Sequence, residues 1–199
     1  MSDLQCFCEE KFSDQDWSEK VLENIKFEKC SFLSVDFSES DLIGITFDRC
    51  KFVSCKFSSA NIKKCAFLNC SFKFCGMYGA TLENCKTTGS SFSEIDMASV
   101  TVTGGNWSYS NLRYCNFSNK KLNDITFNGA DLRNADFSKS VIRNCDFSDC
   151  ILTNTSFNKR DVRNNRFNSF DISTTNFSSA KVDIDLAIVA VGMLGAELG

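Results

Sequence analysis

Every fifth residue of this chain is large and apolar, and the residues between are mostly small or polar. From Phe12 to Val182 the apolar centres fall on numbers ending in 2 or 7 without a break in register. Of these 35 centres Thr87 alone is polar; 17 of the 20 Phe occupy them, and Phe7 lies on the same register. A period of five matches neither the 3.6 of a helix nor the 2 of a strand. It matches a coil that turns a corner every five residues and returns each centre to the interior. The residue two before each centre is then a second inward position. Ten of the 12 Cys sit there (Cys30, Cys50, Cys55, Cys65, Cys70, Cys75, Cys85, Cys115, Cys145 and Cys150), with Ala60, Ala80, Ala130 and Ala135 in equivalent slots. The other three positions of each unit are mostly Ser, Asn, Asp, Lys and Arg, as a solvated surface requires.

Four slots hold misfits: Lys120, Arg160, Asn165 and Phe170. Lys and Arg are rarely buried unpaired, so either the corner opens there or the side chain reaches outward. Thr87 and the run Val100–Gly105 mark a weaker stretch, expected to bulge locally. After Val182 the register stops, dividing the chain into a repeat region, 1–182, and a C-terminal module, 183–199. Asp183–Leu194 reads as a short helix, with Asp183 as N-cap, Asp185 in the first turn, and Gly192 or Gly195 as the stop. It is apolar nearly all round, so it must be covered on both sides. One face caps the last coil, as an open repeat end demands. A second copy is the simplest cover for the other, which makes Ile184, Leu186, Ala187, Ile188, Ala190, Val191 and Leu194 the expected dimerisation residues.

Units such as Ala130-Asp131-Leu132-Arg133-Asn134 and Ala135-Asp136-Phe137-Ser138-Lys139 resemble the pentapeptide-repeat family, whose unit is a small residue, Asp or Asn, Leu or Phe, and two variable residues. The resemblance covers about nine-tenths of the chain. It implies an all-β right-handed quadrilateral β-helix with four units per coil, hence a 20-residue period and nearly nine coils. At ~4.8 Å per coil the rod is about 40 Å long. Phe32, Phe52, Phe72 and Phe92 then stack as one ladder, and Phe117, Phe137 and Phe157 complete the expected structural core. The run Ala180-Lys181-Val182-Asp183-Ile184-Asp185 with its Ala/Val-rich helix resembles the C-terminal module of Qnr-type and MfpA-type members. Those are DNA mimics that bind DNA gyrase and topoisomerase IV and protect them from quinolones or related poisons. Some members carry loops that interrupt the coil; this chain has none, so loop-borne functions do not transfer.

The composition narrows the chemistry. With no His, the commonest general base and metal ligand are missing. No Cys-x2-Cys pair offers zinc spacing, so the slot cysteines read as small core filler. No Gly-rich phosphate loop occurs, and the carboxylates lie on outward positions of a convex rod. No enzyme, metal or cofactor is expected. The net charge of -3 is mild, with no patch basic enough for direct nucleic-acid binding. Tallied by face, the side centred on Trp17, Phe37 and Phe57 is acidic at -3, with Asp16, Glu19, Asp36, Glu39, Asp96 and Asp136 against Lys56, Lys139 and Lys159. The side centred on Leu22, Leu42 and Ile62 is basic at +3. The acidic residues are the expected partner-binding surface, since a DNA mimic must present clustered negative charge. The absence of a leader-like N-terminus or a membrane span, with reduced thiols, points to a cytoplasmic protein. The competing expectation is a β-helical scaffold or adaptor with another protein partner and no topoisomerase role.

Overall fold

A computed structural model of the chain describes residues 4–195; the tail beyond Gly195, part of the expected C-terminal module, lies outside the described residues. The described residues form a four-sided parallel β-solenoid with one short helix at the C-terminal end. Each residue sits over the one 20 positions later, from Gln5↔Ile25 to Asp161↔Lys181. The four sides are named here by one centre each: the Phe27, Phe32, Phe37 and Leu42 faces. The Phe27 and Phe32 faces each carry a four-stranded sheet, and the Leu42 face a five-stranded one. The Phe37 face is held by isolated bridges such as Asp16↔Asp36 and Asp36↔Lys56.

The corners explain the period. The residue two after a centre adopts positive φ in nearly every unit, as at Asn24 (57°), Asn69 (53°) and Asn134 (60°). L-residues enter this left-handed region at a cost, and Asn, Asp and Gly enter it most cheaply. Many units secure the preceding turn by an Asx bond, in which the Asp or Asn before the centre accepts the backbone N–H two residues on. Asp36 Oδ1 to Ser38 N (2.9 Å), Asn106 Oδ1 to Ser108 N (2.9 Å) and Asp146 Oδ1 to Ser148 N (2.9 Å) are examples.

Inside, the expected centres stack. Phe32, Phe52, Phe72 and Phe92 form a column with centroids 4.7–4.8 Å apart, and Phe117, Phe137 and Phe157 another at 5.0 Å. All seven are buried. The slot cysteines do more than fill space. Cys50 Sγ donates to the Phe27 carbonyl (3.4 Å), Cys65 to Leu42 (3.3 Å) and Cys150 to Phe127 (3.0 Å), each 23 residues back. Ser90, Ser110 and Thr155 make the same bond with their hydroxyls. The slot therefore calls for a small side chain and favours a donor, which Cys, Ser and Thr supply. Burial pushes the thiols up, to about 11 at Cys65 and Cys145 and about 12 at Cys85, Cys115 and Cys150. They are poor nucleophiles.

The misfits behave in three ways. Lys120 and Arg160 occupy the same column on the Leu42 face, and beside each the inter-coil ladder is interrupted: among the described residues no strand pairing joins Thr101–Thr103 to Lys121–Asn123, where only Gly104 N reaches Asn123 O (3.2 Å), or Val141–Arg143 to Asp161. Asn165 neither opens the corner nor reaches out. Its amide nitrogen donates to the carbonyls of Ile142 (3.2 Å) and Val162 (3.0 Å), and its Oδ1 accepts from Cys145 N (2.8 Å). Phe170 is buried against Phe167 and Phe177, and the coil bulges to hold it. Asn154 N bonds Thr174 O, 20 residues on, where the neighbouring Asn134 N bonds Thr153 O, 19 residues on. The weaker stretch has its own signature. Glu94 and Ser99 occupy corner positions without positive φ, and Gly105 takes φ +102°. A Cβ on Gly105 would lie 2.3 Å from the Cys85 carbonyl oxygen, so this slot admits glycine alone.

The helix runs Ile184–Met193, with the Asp183 carboxylate accepting from Leu186 N (3.0 Å). Leu186 is buried, and Val189 and Met193 join it against the core.

Candidate functional site

Among the described residues the candidate features lie on the outer surface of the solenoid. The six acidic residues expected to bind a partner lie on the Phe37 face, but the fold does not gather them all. Asp16, Glu19, Asp36 and Glu39 cluster on the first two coils of that face. Lys56 stacks directly over Asp36 and pairs with it at 3.1 Å. Asp96 stands alone mid-rod, and Asp136 follows Asn116 in the stack. The far end of the same face carries Lys139 and Lys159. The stripe is thus an acidic patch at one end that gives way to positive charge at the other.

Four of these acids also have a structural job. The carboxylates of Asp16, Asp36, Asp96 and Asp136 accept the backbone N–H of Ser18, Ser38, Ala98 and Ser138 at 2.7–3.0 Å. Bonds from Ser18 and Ser38 hold Asp16 and Asp36 below the ordinary carboxylate value. Asn does the same job at Asn116 and Asn176. Turn formation therefore explains these side chains, though not why they carry charge. Glu19 and Glu39, at exposed corners, have no such duty.

At the C-terminal helix the expected dimerisation set divides. Leu186 belongs to the cap, where it is buried against the last coil, and so leaves the set that faces outward. Ile184, Ile188 and Leu194 are exposed, at 71%, 46% and 69%, while Ala187, Ala190 and Val191 are half-buried.

Two further surface features stand out. Phe74 and Tyr78, in one coil, are 78% and 75% exposed, and Tyr114 lies two coils further along the Phe74 column. Phe74 and Tyr114 adopt positive φ (56° and 62°), an expensive choice for a bulky ring that gains no burial from it. The sequence held the signal: Phe74 is one of two Phe, with Phe170, off the register of centres. The second feature is a pair of clefts on the Leu42 face, of about 510 Å³ beside Lys120 and 690 Å³ beside Arg160. Among the described residues no His, Cys, Asp or Glu group is arranged to hold a metal, and no helix is long and apolar enough to cross a membrane.

Known proteins place this geometry. Family models for the pentapeptide repeat region and for pentapeptide repeats match residues 45–116, and 110–149 with 121–158, respectively. No curated protein sequence matches. Among solved structures, a trypsin-treated form of QnrB1, a plasmid-mediated fluoroquinolone resistance protein, is 23% identical, with 97% of this chain and 100% of that one covered at a TM-score of 0.62. A second trypsin-treated QnrB1 form gives 0.61. HetL, a pentapeptide repeat protein involved in heterocyst differentiation regulation in the cyanobacterium Nostoc, is 16% identical over 91% of this chain and 88% of its own, at 0.51. These likenesses concern the fold. With the repeat read directly in 45–158 and the solenoid it builds, the chain belongs to the pentapeptide-repeat family.

Proposed function

We propose that this chain is a non-enzymatic, cytoplasmic binding protein whose partner is a type II topoisomerase, DNA gyrase or topoisomerase IV. On this reading it occupies the enzyme's DNA-binding surface and shields it from a quinolone or a toxin; shape and charge act, and no bond is made or broken. The observation that carries the reading is a solenoid uninterrupted by loops that ends in a helix with a free apolar face. Ile184, Ile188 and Leu194 suit a second copy, and two rods joined there form one long, slender body of the kind a DNA-binding saddle accepts. The likeness of fold to a fluoroquinolone resistance protein supports the choice of partner. The acidic patch of Asp16, Glu19, Asp36 and Glu39 would lie at the distal tips of such a dimer.

Gyrase supercoiling, with and without a quinolone, is the test. Retained supercoiling in the presence of drug is expected, and no effect at micromolar protein retires the topoisomerase reading. Replacing Ile188 with Asp is expected to yield a monomer by light scattering and to weaken protection. The exposed pair Phe74 and Tyr78 supports a second reading, a scaffold for another protein, because exposed aromatics are typical interface anchors. Loss of partner capture in F74A/Y78A with gyrase unaffected would favour it.

A further inference from the structure

We propose that the cleft on the Leu42 face between Val141–Arg143 and Arg160–Asn164 binds a phosphate-type oxyanion. It exists because of one slot. Above Lys20 in the first coil, the inward residues along this column are Ser40, Ala60, Ala80, Val100, Lys120, Ser140, Arg160 and Ala180. Where the incoming residue is small, the next backbone N–H bonds the coil below: Thr101 N to Ala80 O (2.8 Å) and Val141 N to Lys120 O (2.7 Å). At the steps onto Lys120 and Arg160 the side chain is too long for the slot, and the coils part.

The two clefts differ in what fills them. Beside Lys120 the ammonium itself bridges the gap, donating to the carbonyls of Ala98 (2.9 Å) and Val100 (2.6 Å), so that site is self-satisfied. Beside Arg160 nothing bridges it. Arg160 Nε donates to Asn158 O (3.3 Å), which leaves its terminal nitrogens without a partner among the described residues. The Arg143 guanidinium, on the opposite lip, has none either, and the Asp161 N–H has lost the acceptor its equivalents use. The one carboxylate in the cleft, Asp161, is held by Arg163 through two bonds (2.6 and 2.8 Å) and kept ionised, at about 2.

The balance is two free planar forks and a free backbone N–H around about 690 Å³, with no uncompensated negative charge. Arg forks match phosphate and carboxylate oxygens in pairs. Donors on both lips and on the backbone suit a tetrahedral oxyanion better than a flat carboxylate.

Binding is measured by calorimetry at physiological salt, with inorganic phosphate and tripolyphosphate as probes and citrate as the carboxylate control. Tripolyphosphate is expected to bind and citrate not. Arg143→Gln leaves the cleft open but removes one fork, and weakening of roughly tenfold or more is expected. Arg160→Ala should abolish binding by closing the coils. Lys159→Gln, an exposed lysine next to Arg160, removes the same charge and should bind as the parent does. Circular dichroism establishes that each variant is folded. Three results would overturn the proposal: no tripolyphosphate binding at millimolar concentration, equal binding of citrate, or an equal loss in Lys159→Gln, which would mean general attraction of anions.

Discussion

From Gln5 to Thr103 three faces of the solenoid carry sheets of four, four and five strands. Beyond Thr103 the described residues form two sheets of two strands each and a series of isolated bridges. Both halves keep the same five-residue register and the same 20-residue stacking. On the Leu42 face the difference lies in the inward slot; on the Phe32 face, where the slots stay small, the inter-coil bonds continue from Asn111 N to Ser90 O through Ile151 N to Ala130 O. The buried coils of the first half fill the inward slots with Cys, Ser, Ala, Val and Ile; the second half adds Lys120, Arg160, Asn165 and Phe170. The centres set the path of the chain, and the slots decide whether one coil can hydrogen-bond the next. A coil tolerates a bad slot because its neighbours on the other three faces still hold it.

The largest effect that would separate the halves comes from the aromatic column of the first. Phe52 stacks on Phe32 below (4.7 Å) and Phe72 above (4.8 Å), fully buried. Phe52→Ala is expected to lower unfolding free energy by about 3–5 kcal/mol in urea denaturation. A similar loss from an exposed ring such as Phe74 would contradict the difference drawn between centres and corners.

Next comes Gly105, at the junction. Gly105→Ala sets a Cβ against the Cys85 backbone in a conformation L-residues avoid, and a loss of about 1–3 kcal/mol is expected in the same assay. The buried thiols give a pH dependence. Their folded values, about 11 to 12 at Cys65, Cys85, Cys115, Cys145 and Cys150, stand above the ordinary 9.0. A raised value means stability present in full below pH 9 and lost as pH climbs through 9 toward 12. Melting temperature should therefore fall across that window, and C115A/C150A should flatten the slope whatever it does to the absolute level. The smallest effect has the opposite sign to most core changes. Arg160→Ala restores a small slot and one inter-coil bond, so a gain of about 0.5–1.5 kcal/mol is expected.

The repeat made most of the fold legible before any coordinates. A hydrophobic period of five has one simple physical solution, and the Phe columns, the helix bounds near Asp183 and the cap followed from it. The donor role of the cysteines was not legible, because a small residue in a core reads first as volume; its pairing with Ser and Thr in the same slot was the available clue. For Lys120, Arg160, Asn165 and Phe170 composition signalled trouble without saying which form it would take. Asn165 can satisfy backbone groups from within, whereas a lysine or arginine cannot be buried in the slot and must part the coils. The candidate surface was read least well. Charge tallied by face ignores position along the rod, so it counted Asp96 and Asp136 with a patch they do not join. It also missed that the Asp before a centre closes a turn.

Hydrogen exchange at four equivalent backbone amides tests most directly whether the slot governs the ladder. Val141 and Lys181 donate to the coil below, at 2.7 and 2.6 Å, while Lys121 and Asp161, entering past Lys120 and Arg160, do not. Slow exchange at Val141 and Lys181 with fast exchange at Lys121 and Asp161 is the expected pattern. Equal protection at all four would contradict it.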